Sequence, residues 1–297
     1  MRFGLIILPV ARWPAAGDPW RRAEDLGFDH AWTYDHITWR EYAARPWFAA
    51  IPTLVAAAMV TSQIRLGTLV ASPNFRHPVT LAKDFVALDD ISGGRAILGV
   101  GAGAGGPDAN VLGRRDGSAT DRTVRFAEFV ELTDLLLRQE TSGYDGRHYR
   151  ARNAVMIPGC VQEPRLPLAV AATGPRGLRV AAAYGDYWIT NGSSARGGAL
   201  PPEVSTGLVR SQVERLEAAG VAVGRDTKSL RKIVVHTNRT AGLLESADAF
   251  RAAAHEYAEL GITDLVVPFP QEGSPFGGKP EVLAEISESV LPHLRKV

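Results

Sequence analysis

Short apolar runs alternate with longer amphipathic stretches from one end of the chain to the other. Residues 3–10 form the first strand-like run, and 19–26 read as a helix stopped by Gly27. Further strands are predicted over 28–34, 64–71, 95–100, 168–172, 187–190, 232–236 and 262–267, bounded by Gly, Pro and Ser. Helices are predicted over 48–61, 78–91, 121–138, 175–184, 203–219 and 281–294, and over a stretch capped by Ser246. On the helix opened by Pro78, Leu81, Phe85 and Leu88 share one face. Phe250, Ala253, Tyr257 and Leu260 do so on the helix that Ser246 caps. Gly220 and Gly261 read as helix stops.

This is a run of eight strand-then-helix units. Strands separated by helices pair in parallel, because each crossover takes about ten residues or more. Eight such units in 297 residues suit a closed (β/α)8 barrel. A doubly wound open sheet is the competing architecture. No linker divides the chain, so residues 1–297 are expected to form one domain. The stretch 141–167 has no clear helix and reads as a hairpin excursion. The Gly/Pro-rich loops 196–202 and 268–280 follow strands, which in a barrel places them on the C-terminal face where active sites form.

Composition narrows the function classes. The chain is 45% hydrophobic and 22% charged, with net charge +1, so it is globular and carries no field of one sign. Bulk nucleic-acid or anionic-membrane binding has no electrostatic basis here. One cysteine, Cys160, excludes a disulfide framework and a multi-Cys metal site. The N-terminal apolar run is shorter than a signal peptide's and is followed by Pro9, Arg12 and Trp13, so a cytoplasmic location is expected. The remaining histidines are scattered and no metal motif is present.

Four segments carry candidate chemistry. Tyr34-Asp35-His36 follows the second strand, where a carboxylate and an imidazole can orient a ligand and move a proton near neutral pH; a turn Asp beside a surface His is the plain alternative. Trp13, Trp32, Trp39 and Trp47 crowd the first loops and either wall a flat apolar ligand or fill core. Gly101, Gly103 and Gly106 formally match a dinucleotide fingerprint, but mid-chain and followed by Pro107-Asp108, so the match is weak. Ala172-Thr173-Gly174-Pro175 joins a strand to a helix whose free N–H groups favour phosphate. The segment 273–280 nearly matches a P-loop, but Pro280 stands where Ser or Thr is needed.

The segment Leu66-Gly67-Thr68-Leu69-Val70-Ala71-Ser72-Pro73 through Pro78 resembles the third-strand signature of the bacterial luciferase-like superfamily. Asp89–Arg95 with Leu98–Gly103, and Ala172–Pro175 with Ala183–Asp186, resemble its next two motifs, in the family's order. The resemblance implies a (β/α)8 barrel, usually a homodimer, acting on a small molecule with coenzyme F420 or FMN at the C-terminal face. Asp35-His36 is similar to the Asp-His pair of the F420-dependent branch, where the His contacts the coenzyme and a Trp follows; here Trp39 follows His36 by three residues. The family pattern also places a non-proline cis peptide at Leu69–Val70. By that resemblance Asp35, His36, Leu69, Val70, Ser72, Gly101, Ala102, Gly103, Ala172, Thr173, Gly174 and Pro175 hold the coenzyme. His36 and Asp35 are the expected catalytic pair, and Trp13 and Trp39 the substrate walls.

One position departs from the pattern. Sugar-phosphate dehydrogenase members carry a Glu where this chain has Ala104, which argues against that activity and leaves the proton to His36 or to the substrate itself. The expected activity is F420-dependent hydride transfer to a C=C, C=N or C=O bond. An FMN-dependent monooxygenase, a non-catalytic flavin-binding barrel and, more weakly, a nicotinamide dehydrogenase on an open sheet stand as alternatives.

Overall fold

In a computed structural model of the chain, the described residues are 1–13, 15–39, 42–103, 107–114, 117–192, 200–237, 242–271, 274–276 and 278–295. Each apolar run becomes a strand, and each amphipathic stretch a helix laid over it. In chain order these are β1 (Arg2–Ile6), α1 (Asp18–Asp25), β2 (His30–Thr33), α2 (Ala50–Val60), β3 (Arg65–Thr68), α3 (Pro78–Ile91), β4 (Ala96–Gly101), α4 (Pro107–Val111), α5 (Ala119–Arg138), β5 (Thr141–Asp145) and β6 (Arg150–Val155). They continue with β7 (Leu168–Ala171), α6 (Pro175–Tyr184), β8 (Tyr187–Thr190), α7 (Pro202–Val223), β9 (Arg231–Val235), α8 (Ala247–Glu259), β10 (Asp264–Pro268), α9 (Pro280–Ser289) and α10 (Leu291–Leu294).

Eight strands close a parallel barrel in the order β1-β10-β9-β8-β7-β4-β3-β2, so the open-sheet alternative is excluded. β1 closes the ring by pairing with β10, Phe3 opposite Leu265 and Leu5 opposite Val267. β5 and β6 form a separate antiparallel pair between α5 and β7. Its return segment is tied down by Asp89, whose carboxylate accepts from the Val161 and Gln162 backbone N–H groups at 2.8 and 3.0 Å.

Alternation along the strands separates two apolar cores. Phe3, Leu5, Ala31, Leu98, Val170, Trp188 and Val234 point outward to the helices. Ile6, Trp32, Ile97, Ile189, Ile233 and Val266 fill the barrel. Glycine makes room for the largest of these. A Cβ on Gly67 would lie 2.5 Å from the Trp32 ring, and one on Gly4 would lie 2.0 Å from His30.

The polar groups at the barrel's N-terminal end satisfy one another. The Trp32 indole N–H, which can only donate, gives a 2.7 Å hydrogen bond to His30 Nδ1. His30 must therefore carry its hydrogen on Nε2, which donates to Asp264 Oδ1 at 3.1 Å. The Arg231 guanidinium holds the same carboxylate at 2.9–3.1 Å. Burial works to raise the Asp264 carboxyl's pKa, but the His30 hydrogen bond, the Arg231 charge and the Thr263 hydroxyl outweigh it and hold it below the usual value.

Two helix ends differ from expectation. α7 runs through Gly220 and stops at Gly224, whose φ is +72°. Gly220 is needed for contact instead, since a Cβ there would lie 2.4 Å from Thr227. The last helix breaks into α9 and α10 at Val290, two residues before Pro292. Among the described residues no helix is long and apolar enough to cross a membrane.

Candidate functional site

Parallel strands bring all eight C-terminal ends to one face, and a cavity of about 940 Å³ opens there. Past β2 the period-two alternation continues. Tyr34 and His36 turn to the cavity, while Asp35 between them turns away. Asp35 is 1% exposed, and both its oxygens are taken by the Arg76 guanidinium, at 2.9 Å from Nε and 2.6 Å from a terminal nitrogen. Burial pushes the Asp35 carboxyl up, and the Arg76 hydrogen bonds and charge oppose it. The Asp35 side chain is thus held by Arg76 and is not among the residues that line the cavity. It joins the loop after β2 to the loop after β3.

The partner of His36 is Asp108, at the start of α4. His36 Nδ1 lies 2.6 Å from Asp108 Oδ2, and the other carboxylate oxygen accepts from the Ile37 N–H at 2.8 Å. Asp108 is 4% exposed. Burial acts to raise its pKa, but the His36 hydrogen bond and charge and the Ile37 and Thr38 N–H groups win, holding it below the usual carboxylate value. An ionised carboxylate only accepts, so His36 donates through Nδ1 and keeps Nε2 for a ligand. The Trp47 indole N–H fixes the His36 carbonyl at 3.0 Å.

An aromatic wall stands beside this pair. Trp39 stacks on Tyr42 at 5.6 Å and on Trp47 at 5.5 Å between ring centroids. Tyr34 meets Trp39 edge-on at 5.2 Å, and Phe276, from the loop after β10, lies 6.1 Å from Trp39. The floor is Leu69, Val70 and Ala102, and the Leu69–Val70 peptide is cis, as the third-strand signature implies. The far wall is Ala172, Thr173, Gly174 and Pro175 at the N-terminus of α6, with Arg176 and Arg179 beyond and Thr120 and Thr123 of α5 opposite.

Other expected contacts fall outside the cavity. Trp13 is 44% exposed, lies beside Gly17 and is not among the residues that line the cavity. Ser72 is buried, and its hydroxyl accepts from the Asn74 N–H at 3.4 Å. Gly101 and Gly103 serve close packing: a Cβ on the first would lie 2.6 Å from Val70, and one on the second 2.5 Å from the Asn74 amide. Ala104 and Gly106 lie outside the described residues. The sequence reading missed Arg76, Asp108 and Phe276. Arg76 stood inside the quoted third-strand signature. Asp108 and Phe276 reach the site only through tertiary contact.

A closed barrel with an imidazole–carboxylate pair and a large cofactor-sized cavity at its C-terminal face defines a class of enzyme-like barrels. Residues 1–261 match the model of the luciferase-like monooxygenase family, and the chain belongs to that family. It is 36% identical to the F420-dependent glucose-6-phosphate dehydrogenase of Beutenbergia cavernae over 176 residues, 59% of this chain and 51% of that protein. It is 29% identical to the 5,10-methylenetetrahydromethanopterin reductase of Archaeoglobus fulgidus over 240 residues, 78% of this chain and 67% of that protein. The chain spans about half the length of the dehydrogenase relatives it matches. A solved F420-dependent secondary alcohol dehydrogenase, in complex with an F420-acetone adduct, shares the fold with a TM-score of 0.81 at 18% identity, covering 99% of both chains.

Proposed function

We propose that this chain is a coenzyme F420-dependent oxidoreductase acting on a small molecule. One observation carries the reading: His36, held at 2.6 Å by the buried Asp108, stands in the wall of the large cavity with its Nε2 uncommitted to that carboxylate. The names of the relatives support the choice of coenzyme.

The residues present fit such a group. The volume lies within the ~300–1,000 Å³ usual for cofactor sites. Leu69, Val70, Ala102, Ile189 and Val235 suit a flat ring system, and Thr173, Gly174, Arg176 and Arg179 suit an anionic chain at a helix N-terminus. When bound, the reduced coenzyme would supply a hydride. The chain's own part is position and protons. Trp39 and Phe276 exclude water from the reacting bond, and His36 Nε2 gives a proton to the substrate heteroatom on reduction, or takes one in the reverse direction. Asp108 stabilises the charged imidazole and fixes the ring.

The test is a titration of the purified chain with F420 and with FMN, followed by ligand fluorescence and thermal shift. Tight F420 binding with weak FMN binding is expected. Preference for FMN would overturn the coenzyme assignment and move the activity to oxygen-dependent monooxygenation. Binding of neither would overturn both coenzyme readings and favour a degenerate barrel.

A further inference from the structure

A second charged pair sits beside His36 and stays out of the cavity. Arg76 grips both oxygens of Asp35, the residue just before His36, through Nε and a terminal nitrogen. The Asp35 side chain is 1% exposed and that of Arg76 20%, and neither residue lines the cavity. Arg76 is itself held. Its backbone N–H donates to the Ser72 carbonyl at 3.1 Å, and its guanidinium lies 4.7 Å from the centroid of the Phe75 ring. The charges of Asp84, on α3, and of Asp108 also act on the guanidinium.

A buried ion pair is weak evidence for stability, because lost hydration offsets much of the attraction. What a two-pronged fork does supply is a single arrangement. Consecutive Cα atoms are about 3.8 Å apart, so fixing Asp35 fixes the peptide that leads into His36. The far side of His36 is fixed as well: the Trp47 indole donates to its carbonyl, and Asp108 accepts from the Ile37 N–H. Arg76 comes from the loop after β3, and Leu69 and Val70, just past the end of that strand, form the cavity floor. The pair therefore ties the segment that carries the imidazole to the segment that carries the floor.

We propose that Arg76 is a positioning residue for the reaction at His36: its fork on Asp35 holds this segment in register, so that Nδ1 stays on Asp108 and Nε2 stays uncommitted. A lysine brings the same charge as a point and cannot make the two parallel bonds. The role therefore belongs to the geometry of arginine and not to its charge alone. This rests on reading His36 as the residue that moves the proton.

The test is long-range ¹H–¹⁵N NMR of the whole chain, labelled at histidine and free of coenzyme, with the His36 signals assigned by their loss in His36→Gln. At a pH where the ring is neutral, the parent is expected to show His36 in the Nδ1–H form. Arg76→Gln and Asp35→Asn should each shift the ratio of the two neutral ring forms about tenfold toward Nε2–H, on the order of one charge-assisted hydrogen bond, and the double variant should shift it no further. Arg76→Lys should lie nearer to Arg76→Gln than to the parent. Gly67→Ala, which strains the barrel elsewhere, should lower stability to urea and leave the His36 signals in place. A parent without the Nδ1–H form, unmoved His36 signals in Arg76→Gln, a parent-like Arg76→Lys, or the same shift in Gly67→Ala would overturn the proposal. If Arg76→Gln does not fold, Arg76→Lys and Asp35→Asn carry the comparison. The expected shift in a chain that refuses F420 would keep the role of Arg76 and sink the coenzyme reading, whereas F420 binding with unmoved signals would sink only the role of Arg76.

Discussion

In the proposed reaction His36 works through Nε2, because Asp108 takes Nδ1. A carboxylate buried to 4% exposure, receiving a ring N–H and a backbone N–H, is a rigid acceptor. It fixes the imidazole's tautomer and its plane together. His36→Ala is expected to lower kcat by about 10²–10⁴-fold, the usual worth of a positioned proton donor. Coenzyme affinity should stay within a few-fold. Asp108→Asn keeps the shape but lets the side chain donate, so the ring can turn; a loss of up to about 10²-fold in kcat is expected, with substrate KM changed far less. Asp108→Glu should restore part of the loss. Parent-like kcat in Asp108→Asn would show that the pair is only structural.

At the scale of the element, glycine decides what the barrel holds. Gly67 faces the Trp32 ring across β3 and β2, and a methyl group there has nowhere to go. Gly67→Ala is expected to cost about 1–3 kcal/mol through overpacking, measured by urea unfolding, whereas an alanine at open Gly207 on α7 has no neighbour to strike. The elements themselves were largely legible. α3, α6 and β8 fall on the residues expected, because a Pro at the first turn or a glycine or polar residue at the end marks each boundary. The alternation Trp32, Tyr34, His36 was legible too, and followed strictly it turns Asp35 away from the cavity. Gly220 misled because glycine serves two purposes, ending a helix or letting a neighbour approach, and only the fold shows which. Asp108 stayed hidden for a different reason: it meets His36 from 72 residues away, and no local pattern encodes that. The same holds for Phe276.

For the molecule as a whole, the ring of strands is pinned at its N-terminal end by Asp264, His30 and Arg231. The folded-state pKa of Asp264 lies below that of an unfolded Asp, about 3.9. The sign follows: its stabilisation is fully present above that unfolded value and is lost as pH falls through the lower folded one. Asp108 and Glu24, also held low, act in the same direction. Stability by urea unfolding is expected to drop steadily below about pH 4. Asp264→Asn should be less stable at neutral pH and flatter below it; an unchanged acid limb would assign the loss to other carboxylates.

The pairing of β1 with β10 also governs the order of assembly. A sheet whose first strand waits for its last cannot be completed by local steps, and contacts of such long sequence separation slow folding. Until β10 arrives, β1 and β9 each present a row of unpaired backbone groups, the surface on which chains stick to one another. Phe276 follows β10 in the chain, so the ring that meets Tyr34 and Trp39 arrives only after the strand that closes the barrel. A half-synthesised chain holds His36 and Trp39 but faces them with an open gap, which makes the unfinished barrel a sticky intermediate with nothing yet to select.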